Sequence, residues 1–430
     1  MHHFSYRDGR LFAEDVAVDD IVKAVGSPVY IYSSATIERH YQLFAEAVRG
    51  KNAQRTRSHV FYAMKANSNL GVLKTLAALG AGADTVSEGE IRKAMLAGIP
   101  ASRIVFSGVG KIARELEFAI SQGIYQVNIE NEGELELLNR IATRQGKRQA
   151  SVIRVNPDVG AGGHAKITTG SADNKFGVSF EEAERLYARA ANMSGISMQG
   201  LAVHIGSQIT ELDDLEAAFR RMKGLLDRLR TEGHAVDRLD FGGGLGIPYH
   251  IPKAFDHGPG LIEAYAAMID EVLGDLDVER GFEPGRLIVG NAGILVTEAL
   301  YLNPRPRKTF LVVDAAMNDL IRPAMYEAYH EIWPVKEAAA EAPRIAYDVV
   351  GPICESGDTF ATERQLAEVK PGELLAFMTA GAYGATMSST YNQRPLVAEV
   401  IVRGKDFAIS RPRQSYDDLM GQDRLPDWFA

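Results

Sequence analysis

The run Phe61-Tyr62-Ala63-Met64-Lys65-Ala66-Asn67 sets one lysine at the end of an apolar, strand-like segment. A lysine shielded there loses hydration of its ammonium, which lowers its pKa and frees the neutral amine as a nucleophile. That is what a lysine needs in order to form a Schiff base. The plain alternative is a solvated strand edge, or a side chain whose tip reaches water. Further along stand His204 and Ser207 in His-Ile-Gly-Ser, then Gly242-Gly243-Gly244-Leu245-Gly246, then Glu283 and Arg286 in Glu-Pro-Gly-Arg. The glycines let backbone amides approach a phosphate, and their spacing disfavours a dinucleotide fingerprint. A phosphate, a Schiff-base lysine and a carboxylate together describe pyridoxal 5'-phosphate. A carboxylate such as Glu283 keeps the ring nitrogen of that cofactor protonated. His204 is suited to stack on the ring, with a core histidine satisfied by backbone as the alternative.

These residues become neighbours only if particular elements bring them together, and the chain alternates strand and helix in a way that does so. Strand-like runs lie at Val60 to Lys65, Ala83 to Ser87, Ile104 to Ser107, Gln126 to Glu130, Ala150 to Asn156, Gly200 to Gly206 and Leu239 to Gly242. An eighth begins near Glu283, and segments with apolar residues at helical spacing fall between them. Eight such units close a parallel (β/α)8 TIM-like barrel, whose chemistry collects at the carboxyl ends of its strands. Those ends carry Lys65, Ser87, Ser107, Asn131, Arg154 with Asn156, His204 with Ser207, Gly242 to Gly244, and Glu283 with Arg286.

With these motifs in place the chain resembles the diaminopimelate decarboxylases, within the fold-type III, alanine-racemase-like group of pyridoxal-phosphate enzymes. The resemblance is carried by FYAMKAN around Lys65, RVNPDV from Arg154, the run from His164 through Thr169-Gly170 to Lys175-Phe176-Gly177, HIGSQ from His204 and LDFGGGLGI from Leu239. It continues with EPGR from Glu283, MNDLIRPAMYEAYH from Met317, GPICESGD from Gly351, GAYG from Gly381 and YNQRP from Tyr391. The resemblance implies that Lys65 is the Schiff-base lysine, His204 the ring-stacking residue and Glu283 the partner of the pyridine nitrogen. It makes Ser207, Gly243 and Gly244 part of the cofactor site. Tyr383 would serve both cofactor phosphate and substrate. Arg286, Arg322, Tyr326 and Glu355 would be substrate contacts, and Cys354 the acid that protonates the product carbon. In this family the Cys354-Glu355 segment is expected to come from the second subunit of a homodimer with shared active sites. No metal is expected.

The residue types agree with a substrate bearing an amino-acid group at each end. Two arginines offer forked donors to a carboxylate, and Glu355 accepts from an ammonium. Asn318, Arg322 and Tyr326 recur every four residues, so they would share a face of a short helix that Pro323 interrupts. The implied reaction is decarboxylation of meso-2,6-diaminopimelate to L-lysine, the last step of lysine biosynthesis. The enzymatic alternative is another decarboxylase of the group acting on ornithine, arginine or carboxynorspermidine.

At 430 residues the chain exceeds one barrel. A second, mainly β-sheet or β-barrel domain is expected from residues 1–29 and 286–430 around a barrel over 30–285. Its strands are read at Ile288 to Leu302, Thr309 to Val313, Ile345 to Val350, Glu373 to Phe377 and Leu396 to Arg403, with a hairpin at Tyr6 to Leu11 joining the same sheet. Gly160 to Gly163 reads as a loop. A formal charge of −9 argues against nucleic acid and anionic membranes. The start lacks the apolar stretch of a signal peptide, and no run is long enough to span a bilayer. One cysteine leaves no internal disulfide framework, and a reducing cytoplasm is expected.

Overall fold

The computed structural model describes residues 3–50, 57–159, 174–250, 260–274 and 276–429. The Gly160 to Gly163 loop and the His164 to Gly170 run singled out above lie outside the described residues. The chain divides into two compact units. One comprises Glu38–Ile247 with Asp256–Ile288, the other Met1–Ile37, Pro248–Phe255 and Val289–Ala430.

In the first unit eight strands form a closed barrel: Ser58–Ala63, Gly82–Thr85, Ile104–Phe106, Gln126–Ile129, Gln149–Val155, Ile196–Val203, Arg238–Asp240 and Glu279–Phe282. All pair in parallel with their sequence neighbours, and the eighth closes on the first with Phe282 beside Val60. Helices follow the first seven strands, and each turns its apolar face inward. The helix Asp213–Thr231, for example, buries Leu215, Phe219, Met222, Leu226 and Leu229 at helical spacing. Phe219 meets Phe241 edge-on at 4.9 Å, and Phe241 stacks on Phe282 at 5.4 Å. Because side chains alternate along a strand, Phe241 facing the helices sends Asp240 to the barrel interior. Helix starts are fixed by Asn69, Ser87, Asn131 and Ser179, whose side chains accept the N–H of Gly71, Glu90, Glu134 and Glu182. Ser87 and Asn131, candidates by their place at strand ends, are therefore helix caps.

The second unit is built on nine strands. The path runs Thr359–Ala367, Arg344–Val350, Thr309–Val313, Gly293–Pro304, Val29–Ser33, Ala398–Arg403 and Asp406–Arg411, with Leu374–Phe377 also pairing Gly293–Pro304 and Ile332–Pro334 pairing Leu374–Phe377. Val29–Ser33 thus belongs to the sheet and not to the barrel. It is buried at every residue and paired on both sides, with Gly293–Pro304 and with Ala398–Arg403. The hairpin expected to join this sheet instead makes a separate three-stranded one, Phe4–Arg7, Arg10–Ala13 and Val16–Ala17. Phe4, Leu11 and Ala13 pack it against Val29, Ile31, Ile294, Val400 and Val402. The expected strand from Ile288 begins later, since Arg286–Val289 is helical and Gly290–Ala292 a 3-10 turn. No described helix is long and apolar enough to cross a membrane.

Candidate active site

The first strand ends in a 3-10 turn, Met64–Ala66, which carries Lys65. Its Nζ lies 3.4 Å from Asp84 Oδ2 at the end of the second strand. The setting of the lysine is therefore polar, where the sequence led us to expect an apolar one. Asp84 is buried, and its Oδ1 makes no hydrogen bond among the described residues. From the fourth strand, Asn128 donates to Ser107 Oγ at 3.0 Å and to Glu283 Oε1 at 3.3 Å, and accepts from Gln126 at 2.8 Å. Glu283 follows the eighth strand directly, and its own N–H is bonded to the Gly242 carbonyl at 2.7 Å.

Burial, followed by the charges of Asp240 and Asp84, pushes the Glu283 carboxyl well above its ordinary pKa, against the opposing pull of Lys65 and Arg154. Burial likewise raises Asp240 to about 6, although the Gly242 N–H donates to its Oδ1 at 3.0 Å. His204 accepts the Gly243 N–H on Nδ1 at 3.2 Å. Burial first, then Lys65 and Arg154, press its pKa well below the usual imidazole value. The neutral ring therefore carries its proton on Nε2.

The triple glycine follows from how closely the strand ends approach one another. A Cβ on Gly242 would stand 2.4 Å from the Val203 carbonyl, on Gly243 2.2 Å from that of Glu283, and on Gly244 2.6 Å from that of Gly206. Backbone atoms cannot yield as a side-chain tip can, so only glycine fits. Beside this turn, Arg286 donates to Ser207 Oγ at 2.8 Å. Arg154 is matched by Glu130 at 2.8 Å, and Glu130 also accepts the Gly108 and Gly177 N–H groups. Lys65, His204, Ser207, Gly243, Gly244, Glu283 and Arg286 thus all sit on strand ends of one unit. Asp84, Asn128 and Asp240 were not singled out by sequence reasoning. A polar residue amid short, apolar, doubly covered strands was the available signal, as in Gln126-Val-Asn-Ile.

The remaining candidates lie on three segments of the second unit. Arg322 and Tyr326 bound the helix Arg322–Tyr326. Pro323 falls in its first turn, where proline is tolerated, so the helix is not interrupted and Asn318 lies outside it. Cys354 and Glu355 are exposed in a turn set by Asp358, whose carboxylate accepts the N–H of Ile353 and of Met317, both at 2.7 Å. Cys354 N–H is held in addition by Asn392 Oδ1 at 3.0 Å. Tyr383 has φ +55°, a left-handed conformation costly for a bulky residue.

Removal of one buried carboxylate charge has a calculable consequence. With Asp240 and Glu283 raised in the folded state, that state holds more protons than the unfolded chain from about pH 4 upward. Their contribution is then present at low pH and is lost as pH rises through about 6 for Asp240. Asp240→Asn keeps an acceptor for Gly242 and removes the charge. In the cofactor-free protein it should flatten the fall of unfolding stability between about pH 4 and about pH 6, by up to about one proton's worth of slope. Equal slopes in urea titrations of the two proteins would show that Asp240 is not protonated on folding.

Residues 34–290 match the model of the family described as pyridoxal-dependent decarboxylase, pyridoxal binding domain. Diaminopimelate decarboxylase of Zymomonas mobilis is 45% identical over 99% of both chains, and that of Pseudomonas aeruginosa is 46% identical over 99% of this chain and 100% of its own. Among solved structures, diaminopimelate decarboxylase of M. jannaschii in co-complex with L-lysine superposes with a TM-score of 0.93 at 33% identity, covering 100% of each chain. The Helicobacter pylori enzyme complexed with L-lysine gives 0.87 at 36%, covering 94% of this chain and 98% of its own. A barrel with an amine, a neutral imidazole and a proton-retaining carboxyl at its strand ends, matched in sequence from end to end, places the chain among the diaminopimelate decarboxylases of the pyridoxal-dependent decarboxylase family.

Proposed function

We propose that the residues of the site divide the work of a pyridoxal-phosphate-dependent decarboxylation of meso-diaminopimelate, giving L-lysine and carbon dioxide, as follows. The observation that carries this reading is the placement of Lys65, paired with Asp84, and of the proton-retaining Glu283, bonded to Asn128, at the strand ends of one barrel, with the buried Asp84 Oδ1 left over for a ligand. The donor set fits the cofactor. Lys65 would hold it covalently, His204 would pack on its ring with a neutral face, and Glu283 would share a proton with its ring nitrogen. The turn at Gly243 and Gly244, with Ser207 and Tyr383, would seat its phosphate. When bound, the cofactor supplies an electron sink for the carbon that loses its carboxylate.

The protein's own part is binding, orientation and proton delivery. The bond to the leaving carboxylate breaks with its electron pair kept at the substrate carbon, and the Cys354 thiol supplies the proton that replaces carbon dioxide there. Glu355 accepts from the substrate ammonium. Arg322, with Tyr326, receives the distal carboxylate, and Arg286 serves the same anionic groups. The sheet unit would carry the substrate and dimer-interface residues. The enzyme would work as a homodimer, and its single cysteine suits a reducing cytoplasm.

Three measurements test these roles. Borohydride treatment should fix the cofactor to Lys65, and Lys65→Ala should lose the visible absorbance of the bound cofactor. Fixation at another residue would refute the assignment. Carbon dioxide release should exceed that from ornithine or lysine by on the order of a thousandfold, because a truncated ligand leaves buried polar groups unmatched. Arg322→Ala or Glu355→Ala should raise KM and erode this preference, whereas comparable turnover of ornithine would favour a different decarboxylase. Lastly, Lys65→Ala and Cys354→Ala homodimers, each severely impaired, should regain roughly a quarter of wild-type activity when mixed equally and allowed to exchange. Half the dimers are then hybrids with one intact site. Proven exchange without recovery would mean that each site lies within one chain.

A further inference from the structure

His330 is buried in the second unit, on the segment that follows the helix bearing Arg322. Its Nδ1 lies 2.8 Å from the Met378 carbonyl and its Nε2 lies 2.8 Å from Arg322 Nη1. A carbonyl only accepts and a guanidinium only donates, so Nδ1 carries the proton and Nε2 offers its lone pair. The ring is thereby fixed as one neutral tautomer with both nitrogens engaged. Tyr249 completes the arrangement. The Arg322 guanidinium stands over its ring at 4.5 Å, and the same ring meets His330 edge-on at 5.5 Å. His250 stacks on Tyr329 with centroids 3.7 Å apart, tying Tyr249 to the chain beside His330.

We propose that His330 is a positioning residue that sets the Arg322 guanidinium as the receptor for the distal carboxylate, with Tyr249 as its shelf. The inference rests on the reading of Arg322 given above. A neutral acceptor orients a guanidinium without neutralising it, whereas a carboxylate in its place would compete with the substrate's own. The engaged Nη1 and the supporting ring face fix the plane of the fork, and a bidentate donor depends on that plane.

The test compares ligands with and without the carboxylate. In the holoenzyme, His330→Phe keeps the bulk and loses both hydrogen bonds. It should raise KM for meso-diaminopimelate and the inhibition constant of L-lysine by about tenfold to a hundredfold. The value of kcat should change by less than about threefold, since the distal carboxylate lies at the other end of the substrate from the carbon that reacts. Binding of 1,5-diaminopentane, which has no carboxylate, followed by the visible absorbance of the cofactor, should be unchanged. His330→Gln, whose amide can donate to Met378 and accept from Arg322, should recover most of the loss. Tyr249→Leu, on a separate segment, should show the same selective loss and decides the matter if His330→Phe does not fold. Equal weakening of diaminopentane and lysine, or unaltered lysine inhibition in both variants while Arg322→Ala loses it, would overturn the proposal. If Arg322→Ala itself leaves lysine inhibition intact, the role of Arg322 fails and the proposal falls with it.

Discussion

The constraint on which the barrel depends is the burial of three carboxylates, Asp84, Asp240 and Glu283, at the ends of its second, seventh and eighth strands. Charged oxygen taken from water is costly unless it is paired or protonated. Here both remedies operate. Lys65 faces Asp84, while burial and the charges of Asp240 and Asp84 raise the proton affinity of Glu283, and burial with the charge of Asp84 raises that of Asp240. The cost is supported from outside, where Phe219, Phe241, Tyr265 and Phe282 pack between strands and helices. A polar interior within an apolar jacket is a strained arrangement for a fold but a suitable one for chemistry, because each retained proton sits where a ligand can share it.

The glycine turn is the geometric counterpart of that electrostatic arrangement. Gly242 and Gly243 bring the seventh strand's end against the sixth and eighth so closely that carbonyls occupy the space a Cβ would need. The same approach lets the Gly242 carbonyl take the Glu283 N–H while the Gly243 N–H goes to His204. One turn therefore fixes both the carboxyl and the imidazole. A side chain there would separate the two groups as well as crowd a ligand.

The barrel was legible because each of its strands is a short apolar run followed by a helical pattern, a signal local in sequence. The expected barrel boundary at residue 30 falls too early for a physical reason: Val29–Ser33, a central strand of a mixed sheet, is covered on two faces, and no local pattern says which domain covers it. The hairpin's partners were likewise undetermined, since alternation reveals a buried face without saying what buries it. Within the site, residues inside recognisable motifs stood out, but Asp84, Asn128 and Asp240 did not, because a single polar residue in a strand gives no hint of its partners. His330 and the carbonyl of Met378 are 48 residues apart, and no local pattern encodes their contact.

The arginines of the two units differ in the chemistry of the partners that orient them. Arg154, Arg238 and Arg280 meet carboxylates, those of Glu130, Glu279 and Asp270. Such a guanidinium is matched by a full opposite charge, and it serves to lock a strand to a neighbouring strand, loop or helix. Arg286 gives a hydrogen bond to the hydroxyl of Ser207, and Arg322 gives one to the neutral imidazole of His330. A hydroxyl or an imidazole directs the fork while adding no countercharge of its own. Since the attraction between a guanidinium and a ligand carboxylate grows as water is excluded, the choice of a neutral anchor decides how much of that attraction a substrate can use.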